Sequence, residues 1–252
     1  MCDLEILPCR DNYDSLVIKK KNLLPSLPTK ISIIGRSALS GKTTILSNLL
    51  CLPNFYGKDW DGDNMYIFSA SLESDEKLKK ILEFKEIPEE NQFEEYTNEG
   101  LNAVMEIIKE KYNEAVDEGT RPPHSVVIFD DISFEGELSN AKNPAVGQLV
   151  CNMRHYLTTS IFTAQKATQL SRCIRLNNIC YMVFKQPLNE LETIMQDCCY
   201  IDKKQFKEIF NKYTSGRHDF FMCNLDNPPE NIYCACGTKT KNKIKSIASL
   251  ES

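Results

Sequence analysis

Short, nearly continuous apolar runs alternate with longer stretches of helical spacing along this 252-residue chain. The runs at 31–34, 65–68, 126–129, 160–163 and 180–184 are four or five residues long. They lack the in-out alternation of a half-exposed strand, so they read as parallel strands covered on both faces. Asp61-Gly62-Asp63-Asn64 forms a turn before the second run. Helices are expected after the first run (45–50), at 74–84, and from a cap at Asn98 to about residue 116, where Leu101, Met105, Ile108 and Tyr112 recur at helical spacing. Further helices are expected at 188–197 and 202–213. A hairpin, 219–224 and 231–236, turns through Asn227-Pro228-Pro229. Strands alternating with helices predict an α/β fold, a mainly parallel sheet flanked by helices, with a short C-terminal β-hairpin.

The organisation divides into a leader (1–29), a core (30–237) and a basic, mobile tail (238–252). The leader carries Pro8, Pro25 and Pro28, a Lys19-Lys20-Lys21 run, and an edge strand at Leu16-Val17-Ile18. No internal repeat is visible. An apolar fraction of 42% suffices for a full core. No run of 18 apolar residues would span a membrane, and the first residues lack the basic and apolar regions of a secretion signal.

Eleven cysteines are scattered without zinc spacing, and the histidines (His124, His155, His218) lie far apart, so reduced thiols are expected. The net charge of −5 hides a division: positions 73–118 hold 15 acidic and 6 basic residues, a net of −9, and the rest is +4. The acidic segment reads as a solvated helical face and does not exclude a polyanion partner elsewhere.

The chemistry begins where the first apolar run meets Gly35-Arg36-Ser37-Ala38-Leu39-Ser40-Gly41-Lys42-Thr43-Thr44. A strand, a glycine-bounded loop, Gly-Lys-Thr and a helix follow in the order of a phosphate-binding loop. Backbone N–H groups would surround an anion. Lys42 would reach the β- and γ-phosphates of a nucleoside triphosphate, and Thr43 would ligate Mg²⁺. The loop is one residue longer than G-x-x-x-x-G-K-[ST], since Arg36 stands at the usual first-glycine position. The run 126–129 then delivers Asp130 and Asp131. Asp130 is expected at the metal and Asp131 as the base that polarises a water, an arrangement for hydrolysis. The run 160–163 delivers Gln165, whose amide can read the γ-phosphate or the water.

These segments, with Met153-Arg154-His155 before the fourth run and Arg172-x-x-Arg175-x-Asn177 before the fifth, resemble viral genome-packaging ATPases of the poxvirus type, within the FtsK/HerA superfamily. The likeness covers residues 31–185. It implies a RecA-like P-loop NTPase core, ATP with Mg²⁺, a ring that is a homo-oligomer and a hexamer, and double-stranded DNA as the translocated substrate. It also implies capsid portal or vertex proteins as partners, and a place in the host cytoplasm (viral factory) or virion. Ring motors complete the site with a neighbour's arginine, for which Arg154, Arg172 and Arg175 are the candidates. The aspartate pair stands where many superfamily members carry Asp-Glu. A cellular or plasmid DNA-transfer motor, a nucleotide switch with little turnover, and a small-molecule kinase are the alternatives. The lysines from Lys239 to Lys245 could grip DNA or only solubilise.

Overall fold

The computed structural model describes residues 13–20, 22–36, 40–131 and 144–251. Its strands are β1 (Lys30–Ile34), β2 (Met65–Ser69), β3 (Gln92–Phe93), β4 (Ser125–Asp130), β5 (Thr158–Ala164), β6 (Cys180–Phe184), β7 (Phe220–Asn224), β8 (Tyr233–Cys236) and β9 (Lys245–Ser246). They form one sheet in the order β3-β2-β4-β5-β1-β6-β7-β8-β9. The first six are parallel, and the last three continue antiparallel. The helices are α1 (Tyr13–Leu16), α2 (Lys42–Cys51), α3 (Glu76–Lys85), α4 (Asn98–Asp117), α5 (Pro144–Asn152), α6 (Arg172–Asn177), α7 (Leu188–Cys198), α8 (Lys203–Tyr213) and α9 (Ala248–Glu251).

The continuous apolar runs are explained by what covers each face. Ile31 and Ile33 of β1, Met65 and Ile67 of β2, and Val126 and Ile128 of β4 pack with Leu46, Leu49, Trp60 and Ile81 on the α2/α3 side. Their alternates Ile34, Tyr66, Phe68, Val127 and Phe129 pack with Leu101, Met105 and Leu149 on the α4/α5 side. The period of two is intact, but both phases are apolar because both faces are buried. Phe68, Phe129 and Phe162 are direct register neighbours on β2, β4 and β5. Their rings stack at 5.2 and 4.9 Å between centroids. Each buried side chain of this kind stabilises the fold by about 1.5–3 kcal/mol. The row also has a positional effect. It faces the α4/α5 side, so the next residues, Asp130 and Thr163, turn to the α2 side.

Several expectations are corrected. Residues 16–18 do not form an edge strand. Tyr13–Leu16 is a helical turn, and Ile18 makes only an isolated antiparallel bridge to Leu27. Leu24 and Leu27 are buried, so this part of the leader belongs to the core. Thr97, not Asn98, caps α4: its side chain accepts from the Gly100 amide at 3.0 Å while Asn98 is already helical. Residues 238–251 are not a separate tail. Lys245–Ser246 add β9 to β8, and Ile247 is 4% exposed, because burying that side chain against the sheet favours docking of the segment. β3 was not foreseen, since two residues give no periodicity to read.

Candidate functional site

The site lies at the C-terminal edge of β1, β4 and β5. β5 sits between the other two, so the loop after β1 and the carboxylates after β4 meet across one strand. The Gly35 amide donates to the Ala164 carbonyl at 2.9 Å, extending the β1–β5 register by one residue. A Cβ on Gly35 would lie 2.7 Å from both Phe184 and Ser40, so only glycine lets the chain leave the sheet there. Gly41 has φ 101° and stands at the N-cap of α2. With no side chain it caps nothing. Asp75, Thr97, Ser171 and Asp202 do cap α3, α4, α6 and α8. The first amides of α2 are therefore left to an external acceptor.

Lys42 is 6% exposed and opens α2. Its ammonium donates to the Gly35 carbonyl at 3.0 Å and lies 3.6 Å from Asp131 Oδ1. Asp130 is 4% exposed. It accepts from the Thr163 hydroxyl at 2.7 Å, and Thr163 Oγ1 in turn accepts from the Asp131 amide at 3.0 Å. Burial pushes the Asp130 carboxyl up, and Asp131 and Asp75 add to the rise; the Thr163 hydrogen bond and Lys42 oppose it. Asp131 has φ 52°, the left-handed region that aspartate tolerates better than most residues, and its Oδ1 is buried without a hydrogen bond. A cavity of about 710 Å³ opens over Ser40–Thr44, Ser74–Lys77 and Asp131.

The expected residues divide clearly. Gly35, Arg36, Ser40, Gly41, Lys42, Thr43, Thr44, Asp130 and Asp131 surround this edge, and Gln165 adjoins it at the tip of β5. Ser37, Ala38 and Leu39 lie outside the described residues. The Gln165 backbone N–H donates to the Gln169 side-chain oxygen at 3.0 Å, which fixes the chain where it leaves the strand. The arginines lie elsewhere. Arg154 is exposed in a 3-10 turn before β5, hence at the opposite sheet edge. There it helps push down the pKa of the Lys30 ammonium, after burial. Arg172 is exposed on α6. Arg175 pairs with Asp197 at 2.6 Å, the side chains 15% and 7% exposed. It is held inside its own chain. We expect Arg175→Ala to destabilise the fold by about 3 kcal/mol, because it strands a buried carboxylate. A chemical melt checks this; an unchanged midpoint would show that Asp197 finds other partners.

Sequence reasoning missed four residues here. Asp75 accepts from the Thr43 hydroxyl at 3.3 Å, and the Lys77 ammonium donates to Thr44 Oγ1 at 3.2 Å. Their only sequence signal is that of an ordinary helix start. Thr163 reads as one more strand residue. His218 reaches Ser40 from the start of β7, its Nδ1 3.3 Å from the carbonyl, through antiparallel pairing that no local pattern announces.

No protein-family model matches the sequence, and neither does any curated protein. Solved structures do match. The genome packaging NTPase B204 from Sulfolobus turreted icosahedral virus 2, in complex with AMP, superposes with a TM-score of 0.56 at 14% identity, over 86% of this chain and 96% of that one. B204, the DNA-packaging ATPase from Sulfolobus Turreted Icosahedral Virus, gives 0.52 at 18%, over 86% and 95%. The pCW3 conjugation coupling protein TcpA with ATPγS gives 0.50 at 10%, over 77% and 56%. At these identities the likeness is one of fold, and the fold is that of P-loop ATPases.

Proposed function

We propose that this chain is an ATP-hydrolysing motor that moves double-stranded DNA, serving to fill a viral capsid. The observation that carries the reading is the meeting of Lys42, Thr43, Asp130 and Asp131 at an uncapped helix start, on the fold of the packaging NTPases. Those neighbours were solved with AMP, AMPPCP and ATPγS, which supports a nucleotide as ligand. The α2 amides and Lys42 would hold the phosphates, with Arg36 and the rest of the loop enclosing them. Asp131 would orient and deprotonate the attacking water, and Gln165 would sense the γ-phosphate.

The donor set fits Mg²⁺. Thr43, Asp130 and Asp131 offer oxygen only, and two carboxylates beside one ammonium leave negative charge to be balanced. Among the described residues no three metal-ligating side chains form a protein-only site. Thr43 and Asp130 would thus share the cation with phosphate oxygens, as magnesium sites at nucleotides do. When bound it would neutralise charge on the phosphates.

Among the described residues no helix is long and apolar enough to cross a membrane. The motor would work as a homo-oligomeric ring, a hexamer of the poxvirus type, docked on portal or vertex proteins in the factory or virion. Arg154 and Arg172 are the exposed candidates for the neighbour's finger, and the Arg175–Asp197 pair makes Arg175 the weakest.

The test is ATP turnover with and without long duplex DNA, alongside a mass measurement. Turnover should rise severalfold with DNA of any sequence, because a motor holds phosphates and does not read bases. The stimulation should fall steeply with salt, since each neutralised phosphate releases counterions. A monomer whose turnover ignored duplex DNA at low salt would refute the motor and leave a switch or kinase.

A further inference from the structure

We infer that Asp75 is a positioning residue for the Thr43 hydroxyl, holding it ready to face a cation; the inference rests on the nucleotide-site reading above. Asp75 precedes α3 and lies on no strand of the site. Its Oδ1 accepts from the Lys77 and Leu78 amides at 2.8 and 3.3 Å. Those two bonds anchor the carboxylate and leave Oδ2 pointing at Thr43 Oγ1, 3.3 Å away, the long end for such a bond. A second link ties the same two helix starts together, Lys77 to Thr44 at 3.2 Å.

The chemistry follows from the hydroxyl inventory. A threonine hydroxyl has one proton and two lone pairs. The Asp75 carboxylate oxygen accepts, so the Thr43 proton turns toward it and the lone pairs turn toward the cavity. Asp130, the metal carboxylate on β4, is engaged by the Thr163 hydroxyl at 2.7 Å. Ligand orientation by an outer acceptor is what sets metal affinity in such sites.

Asp75→Asn is nearly isosteric and separates orientation from capping. Its amide oxygen can still accept from the two backbone amides. The remaining –NH₂ can only donate, so it consumes a Thr43 lone pair and turns the proton into the cavity. Binding of a fluorescent N-methylanthraniloyl ATP is measured in EDTA and at graded Mg²⁺, with a thermal melt of each protein. Metal-free binding should hold or improve, since a negative charge leaves the cavity, and the melt should match the parent. The Mg²⁺ needed for half-maximal binding should rise about ten- to a hundredfold. Asp75→Ser keeps a helix cap but is too short to reach Thr43, so it should show the same rise and decides the matter if the asparagine variant fails to fold. A parent-like Mg²⁺ requirement in a folded variant overturns the positioning role. A parent protein that binds no nucleotide with or without Mg²⁺ overturns the site reading itself.

Discussion

Lys42→Ala is expected to lower ATP turnover by about a hundred- to a thousandfold, the loss of one preorganised charge at a reacting phosphate. Lys42 opens α2, and its ammonium is nearly enclosed, with 7% of its side chain exposed. Among the described residues its polar partners are the Gly35 carbonyl and, at 3.6 Å, Asp131. Asp131 lines the cavity, so water can solvate its carboxylate when the ammonium is gone. Alanine is the best helix former at the vacated position. The cost to stability should therefore stay near the ~1 kcal/mol of one lost hydrogen bond. Turnover, calorimetric binding of ATP and a melt separate the two effects. Parent-rate hydrolysis by a Lys42→Ala protein would remove the phosphate-loop assignment.

Asp131→Asn should keep nucleotide binding and slow hydrolysis by about two to four orders of magnitude, the range for a lost general base. The substitution is gentle on the backbone. Asp131 has φ 52°, and asparagine enters the left-handed region at least as readily. Its amide is held by Thr163, which the change does not touch. Losing the carboxylate also frees Lys42 from its 3.6 Å partner, so affinity for ATP should hold or improve. Asp130→Asn should act differently, by raising the Mg²⁺ requirement, because Asp130 is 4% exposed and anchored to Thr163 beside Thr43's helix. Single-turnover rates and Mg²⁺ titrations distinguish the two. Equal, mild losses from both variants would sink the division between base and metal carboxylate.

What the sequence determined by itself is the set of local decisions. Apolar runs of four or five residues specified β1, β2, β4, β5 and β6, since a segment with both phases apolar must be buried on both faces. Gly35 and Gly41 specified where the loop leaves β1 and where α2 starts uncapped, because steric exclusion and a positive φ act on single residues. The order of Lys42, Asp130 and Gln165 was legible because Asp130 and Gln165 stand at the ends of their apolar runs and Lys42 closes the glycine-bounded loop after its own.

Only the tertiary structure decided which of these strand ends touch. Placing β5 between β1 and β4 made Thr163 the residue that fixes Asp130 and Asp131, although its pattern is that of any strand residue. Packing α3 beside α2 brought Asp75 and Lys77 to Thr43 and Thr44 across more than 30 positions of sequence. Antiparallel pairing of β6 with β7 carried His218 to Ser40. The approach of α6 and α7 took Arg175 out of the surface set by giving it Asp197. Such contacts join segments whose separate patterns are ordinary. Periodicity fixes which face of an element is buried, and only the joint burial of all the faces chooses the neighbour against which each one packs.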